Sequence, residues 1–444
     1  MTARPHVAVV GGGIAGLAAA LDLIGRADVT LYEAGTRLGG PINTIDFAGH
    51  RVDTGPDSFL ARRPEMIDLC TRLGFGDALV APATGEAAVW SRGAIRKLPQ
   101  GLVLGVPRSL KGLAESGIVS RAGVWRAALD RVLPTTRVGD DISVGDLVRA
   151  RFGGEVQDRL VDPLLGGIHA GRSDLLSSAV AAPQLLDAAR RGRSLMASLP
   201  TAPPSTDPVF LTVPAGLGDV VDAAHGALVA AGVTIRLSTP VDDLDSIDAD
   251  GVVLATPAPV TSRLLKAAAP DASDALSTVT YASVVLTLLA YPSDALAAPF
   301  TLSGFLVPRP EKKLLTAASW SSSKWAHHGG HGTELVRASV GRIDDVRHED
   351  IDDDALVARV HRELVEATGI RTDAPTEARV TRWPHSLPQF KVGHVHLAQR
   401  AHADAARATL PIALAGSAYE GLGLPACVAS GRAAAASVLT RLDA

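Results

Sequence analysis

Gly11, Gly13 and Gly16, within Gly11-Gly12-Gly13-Ile14-Ala15-Gly16, have the G-x-G-x-x-G spacing that can hold a pyrophosphate against bare backbone. The first glycine allows a tight turn, the second lets phosphate approach, and the third lets a helix lie close to a strand. Glu33, about 20 residues further on, is placed to accept from a ribose hydroxyl. These groups work only if flanking elements position them. His6 to Val10 is an apolar run short enough for a buried strand, and Ile14, Leu17, Ala18 and Leu21 recur at helical spacing. Val29 to Tyr32 is a second strand that delivers Glu33. A helix N-terminus then faces the phosphates with free N–H groups and the positive end of its dipole. The chemistry is dinucleotide binding.

A second constellation repeats this logic near the other end. The apolar run 410–415 leads into Gly416-Ser417-Ala418-Tyr419-Glu420-Gly421-Leu422-Gly423-Leu424-Pro425, which opens a final helix reaching Leu442. Pro425 suits a first helical turn. Other chemistry-bearing residues point to no site. His327, His328 and His331 lie among glycines without carboxylate or thiolate partners, so a solvated loop is expected and no metal. Asp352 to Asp354 suit a helix N-terminus. Cys70 and Cys427 are too few for a cysteine metal site, and their distance in sequence suggests a reducing compartment.

Composition narrows the classes. At 444 residues, 47% hydrophobic and 20% charged, the chain is globular and large enough for more than one core. A net charge of −4 argues against nucleic-acid binding. No apolar run is long enough to span a bilayer, and only five residues precede the first strand, so no leader is expected. A cytoplasmic protein follows, at most peripheral on the membrane.

Along the chain, 64–73 reads as a helix, and 89–98 as a hairpin turning at Gly93. The stretch 101–199 is mostly helical, broken at Pro107, Pro134, Pro163 and Pro183, and a Pro-rich loop closes it at 201–208. Residues 219–231 form a helix, 233–237 and 251–257 strands, and the apolar strands 284–289 and 335–340 follow. A charged helix at 352–368 and a strand at 379–383 precede the closing segment.

The run Glu33-Ala34, Arg37-Leu38-Gly39-Gly40 resembles the flavoprotein family of amine oxidases and porphyrinogen oxidases, and a nicotinamide enzyme has no use for the second glycine pair. Gly55-Pro56-Asp57-Ser58-Phe59-Leu60-Ala61-Arg62 is similar to the porphyrinogen oxidases of haem synthesis. Two further runs match the same family: Leu164 to Gly171, and Trp383 to His394 with its Pro388-Gln389-Phe390. The resemblance implies an α/β fold, α+β in its second part. A Rossmann-like FAD-binding domain (1–80, 209–265, 408–444) is joined by an antiparallel-sheet substrate domain (81–98, 266–407) and an inserted helical domain (99–208). It implies FAD contacts at Gly11, Gly12, Gly13, Ile14, Ala15, Gly16, Glu33, Ala34, Arg37, Leu38, Gly39, Gly40, Gly55, Pro56, Asp57, Ser58, Val241, Trp383, Gly416, Leu422, Gly423 and Leu424. One departure is Pro41, which stands where the family has a basic residue and removes an N–H donor. Another is the short link from Val241 to Asp250.

By the same resemblance the substrate is a porphyrinogen, bound by Gly167, His169, Arg62, Arg96 and Lys391, with Arg63 and Lys97 as further cations for its carboxylates. His169 serves equally as a packed residue, and no side chain is expected to be catalytic, since flavin N5 accepts the hydride. The implied reaction is oxygen-dependent oxidation of coproporphyrinogen III, with hydrogen peroxide formed and a ferrochelatase downstream. The alternatives are protoporphyrinogen IX oxidase, a flavin amine oxidase, or a non-catalytic FAD or porphyrin carrier. The stretch 101–118, apolar with Arg108 and Lys111, reads as a membrane-surface contact or a channel wall.

Overall fold

The computed structural model describes residues 4–200, 207–330 and 332–444. Its first layer is a five-stranded parallel sheet of His6–Val10, Asp28–Tyr32, Thr234–Arg236, Gly251–Leu254 and Ile412–Leu414. His6–Val10 lies at its centre, with Val9 opposite Leu31 on one side and Val253 on the other. Such strands are apolar on both faces because helices cover both. Helix Ile14–Leu23 packs on the closing helix Leu424–Leu442 so tightly that a Cβ on Gly431 would fall 2.0 Å from Ala15 O. The sheet is discontinuous in sequence, as its strand numbers show.

The second layer is a seven-stranded sheet in the order Glu377–Pro388, Tyr281–Pro292, Thr333–Val340, Leu315–Trp320, Gly304–Leu306, Ala88–Ser91, Ala94–Lys97. It is antiparallel except where Gly304–Leu306 runs parallel to Ala88–Ser91. Helix Asp353–Thr368 covers one face, burying Leu356, Val360 and Leu364, and Asp352 caps it by accepting from Ala355 N at 2.8 Å. The hairpin Thr44–Phe47 and His50–Asp53 covers part of the other face.

After strand Ala94–Lys97 comes a helical block from Leu110 to Ser198 with its own core of Leu147, Phe152, Leu160 and Leu185. A buried ion pair, Arg151 with Asp130 at 2.6 Å, braces it, and Asp130 also accepts from the amides of Leu195 and Met196. One expectation is corrected, that His328 is solvated, and other local readings gain detail. Of the glycines in the run Leu164 to Gly171, Gly166 and Gly167 lie in helix Asp162–His169 and Gly171 just beyond it; the π-helical turn Gln157–Val161 precedes this helix, whose Pro163 lacks an N–H. In the stretch 101–118, Val106, Leu113 and Ile118 face the helical core. His328 is buried rather than solvated, its Nε2 donating to Arg51 O at 3.0 Å. The strand Tyr281–Pro292 is longer than its apolar centre indicates, and helix His394–Ala405 follows the Trp383 run where no helix was read. The loop at 201–208 lies mostly outside the described residues, as does His331.

Candidate active site

The glycine turn is built by close approach. A Cβ on Gly11 would lie 2.5 Å from Ala255 O, and one on Gly16 would lie 1.9 Å from Gly11 O. Gly11 has φ +106°, a conformation that glycine adopts without strain. Helix Ile14–Leu23 starts at Gly13 with no side-chain cap and no acidic residue in its first turn. A Cβ on Gly13 would meet nothing within 4 Å. Uncapped amides beside open space form a cradle for an anion.

Glu33 ends the second strand as expected. Its Oε2 accepts from Gly12 N and its Oε1 from Gly35 N, each at 2.7 Å. Two amides therefore fix the carboxylate at the rim of the turn. Arg37 shapes the next bend by donating to the carbonyls of Leu38, Gly40 and Ile42. Gly39 N donates to Gly12 O at 2.8 Å, so the second glycine pair lies directly against the first. Pro41 is exposed beside Gly40, and a Cβ on Gly55 would fall 1.8 Å from Pro41 O. The Gly55 to Ser58 segment is thus pressed onto the Gly39 to Ile42 bend.

The closing constellation adds a second uncapped helix N-terminus. Leu424–Leu442 begins at Gly423 with Pro425 in its first turn and neither side-chain cap nor acid there. Gly416, at φ +120°, is tied to the helix by its N–H to Ser430 Oγ at 3.0 Å. Leu424 is buried while Leu422 is partly exposed. Burial pushes the Cys427 thiol up to about 12, so it is packed and unreactive. Val241 is buried next to the same sheet. The residues present fit a dinucleotide with an attached ring: two helix N-termini, a bare glycine surface and an anchored carboxylate.

Trp383, from the edge strand of the second sheet, donates its indole N–H to Thr54 O at 2.8 Å. The cations expected for carboxylates are dispersed. Arg62 is exposed; Arg63 pairs with Glu65 and Lys97 with Glu86. Arg96 lies under Gly117 and donates to Ser91 O, so it props the hairpin. The segments that carry His169 and Lys391 adjoin through their neighbours: Gln389 donates to His169 O at 2.7 Å, and Lys391 bridges to Leu176. His169 sits edge-on to Phe390 at 5.7 Å, and burial pushes its pKa down to about 4. It is a neutral, packed ring. A cavity of about 1090 Å³ reaches Asn43 and Thr54 beside this region but extends away along His361, Arg379 and Arg382, past none of the glycines.

Sequence reasoning missed Lys324, Arg337, Asp53 and the Arg309–Asp162 pair. Arg309 Nε lies 2.9 Å from Asp162, and its Nη2 donates to Gly171 O, which ties the Gly167 helix to the second sheet. The available signal was a lone Arg337 in the otherwise apolar and small Leu335 to Val340, since a charge in a buried strand requires a partner.

The fold and the cradle define a dinucleotide-binding oxidoreductase of two sheets. Residues 14–439 match the model of the flavin containing amine oxidoreductase family, and the chain belongs to it. It is a flavoprotein. It is 36% identical to coproporphyrinogen III oxidase of Mycobacterium leprae, over 98% of each chain. It is 29% identical to protoporphyrinogen oxidase of Bos taurus, again over 98% of each. A crystal structure from Exiguobacterium sp. 255-15 superposes with a TM-score of 0.89 at 29% identity, covering 99% of this chain and 100% of that one.

Proposed function

We propose that this chain catalyses the oxygen-dependent, FAD-dependent six-electron oxidation of coproporphyrinogen III to coproporphyrin III, a step of haem biosynthesis that releases hydrogen peroxide. The observation that carries this reading is full-length likeness to a coproporphyrinogen III oxidase, stronger than to a protoporphyrinogen oxidase, on a chain whose glycine turn is open for a dinucleotide.

FAD, when bound, supplies two-electron chemistry with dioxygen as the terminal acceptor. The chain's own residues bind and orient. The amides at Gly13 and Gly423 would hold its negative charge, Glu33 would hold a ribose hydroxyl, and the bend from Gly39 to Ile42 with Gly55 to Ser58 would support the ring. A neutral, packed His169 fits a reaction driven by positioning, without a side-chain base. Gly167, His169 and Lys391 border the macrocycle in this reading, and Arg62 meets a propionate, while the Arg96 guanidinium is already engaged with the hairpin. In this reading the chain divides into the FAD, substrate and helical segments that its sequence implies, and a ferrochelatase is the natural consumer of the product.

No helix among the described residues is long and apolar enough to cross a membrane. Contact with a membrane surface finds better support at Trp125, Leu129 and Val132 than at 101–118. These side chains are 78%, 44% and 66% exposed at helical spacing, with Arg121 and Arg131 alongside. Sedimentation with anionic vesicles tests it: the parent pellets and Trp125→Glu does not, whereas a parent left in the supernatant refutes it.

The catalytic reading is tested by mixing the purified protein with coproporphyrinogen III without oxygen. The flavin absorbance bleaches and returns on admitting air. A flavin that stays oxidised with this substrate contradicts the proposal.

A further inference from the structure

Arg337 is buried at 9% exposure in the centre of the second sheet, and the binding roles above leave it unused. Its Nη1 lies 2.6 Å from Asp57 Oδ2, and its Nη2 donates to Gly55 O. Lys324 Nζ donates to the same Oδ2 at 2.8 Å, and Trp325 Nε1 reaches it at 3.3 Å. Ser58 Oγ donates to Oδ1 at 3.0 Å. Both oxygens of Asp57 are therefore engaged within the protein. Burial alone would raise this carboxyl, but the Arg337 guanidinium and the Lys324 ammonium hold it far below the usual carboxylate range.

The partners share an origin. Lys324 and Trp325 follow the strand Leu315–Trp320, and Arg337 belongs to Thr333–Val340. Trp383, which holds Thr54 O, comes from the edge strand of that sheet. The segment from Thr54 to Asp57 is thus clamped by side chains of the second sheet, while its glycine presses on the Gly39 to Ile42 bend of the first.

We propose that Asp57, Lys324 and Arg337 are positioning residues for the flavin: Asp57 acts through this ion triad, holding Gly55 to Ser58 in place, and not by touching FAD. The proposal rests on the flavoprotein reading above. Removing the carboxylate strands two cations in a buried site and frees the Gly55 carbonyl to move, so the surface presented to the ring loses its shape. Lys324 is the more dispensable cation, because Arg337 alone still pairs Asp57 and holds Gly55.

The test titrates FAD into apo-protein of the parent, Asp57→Asn, Lys324→Met and the double variant. Flavin fluorescence gives affinity and visible circular dichroism reports the environment of the ring. Asp57→Asn is expected to lose FAD affinity by about 10- to 100-fold, the range for residues that orient direct ligands, with a changed dichroism band. Its KM for porphyrinogen at saturating FAD stays at the parental value. Lys324→Met loses less, and the double variant less than the sum of the two, because one stranded cation has gone. Parental affinity and dichroism in Asp57→Asn overturn the proposal, as does a fall in melting temperature alone. If Asp57→Asn does not accumulate, Lys324→Met decides: a changed dichroism band supports the triad and a parental one overturns it. A parent that takes up no FAD refutes instead the flavoprotein reading beneath the proposal.

Discussion

The two sheets are held to their tasks by different physics. Around the first, nearly every contact that shapes the site is backbone: glycines at van der Waals limits, uncapped helix amides, and a carboxylate fixed by two N–H groups. Around the second, and in the helical block that follows its strands Ala88–Ser91 and Ala94–Lys97, position is set by charged side chains, some brought from distant parts of the chain. Examples are Arg337 on Asp57, Arg309 on Asp162 and Arg151 on Asp130. Gly11, Gly16 and Gly55 tolerate no added atom, whereas side-chain sites tolerate change until a charge is left alone.

This contrast can be broken most forcefully at Gly16. Gly16→Val drives a branched side chain into Gly11 O, and destabilisation well above the roughly 1–3 kcal/mol of ordinary overpacking is expected. The readout is absence of yellow, soluble protein; a stable holo-protein would deny that the turn is sterically closed. In the helical block, Asp130→Ala leaves Arg151 buried without its partner. It is expected to cost about 3–5 kcal/mol in denaturant unfolding, with FAD affinity unchanged. A parallel loss of FAD affinity would show the two regions to be coupled.

Next in size are two pH effects of opposite sign. Asp53, beside the first sheet, is pushed up to about 6, chiefly by burial. Its folded pKa exceeds the ordinary 3.8, so the stability it contributes is present at low pH and is lost as pH rises through about 6. That is worth about 3 kcal/mol. His169, pushed down from 6.5 to about 4 by burial, contributes stability above 6.5 that is lost as pH falls towards 4. That again amounts to about 3 kcal/mol. Asp53→Asn should remove the loss that comes as pH rises to about 6, and His169→Phe the loss that comes as pH falls towards 4, both read from melting temperature against pH. Unchanged profiles in both would contradict the burial argument.

Glu33→Gln sharpens the comparison at smaller scale. Its two amide contacts lose their charge, and FAD binding is expected to weaken by about 1.5–3 kcal/mol, the scale of hydrogen bonds to charged groups. Smallest of all is Lys97→Ala. That side chain is 65% exposed and pairs with an exposed Glu86, so stability changes by under about 1 kcal/mol.

The same contrast decides what could be read from sequence. Gly11 to Gly16, Glu33 and the Gly416 to Pro425 turn are legible because each works through local backbone geometry, and local geometry has a residue signature. Asp57 was visible in its motif, but its partner Lys324 lies 267 residues away, and no local pattern pairs them. The glycines near His169 were legible as a motif and not as a helix, because Gly and Pro weaken any local helical signal. His328 reads as solvated from sequence because Gly-rich surroundings describe a loop and not what packs over it.

The most direct measurement compares initial rates of porphyrin fluorescence from the purified yellow protein in air, given coproporphyrinogen III and protoporphyrinogen IX in parallel. Faster formation of coproporphyrin is predicted. A preference for protoporphyrinogen, or turnover of neither, would contradict it.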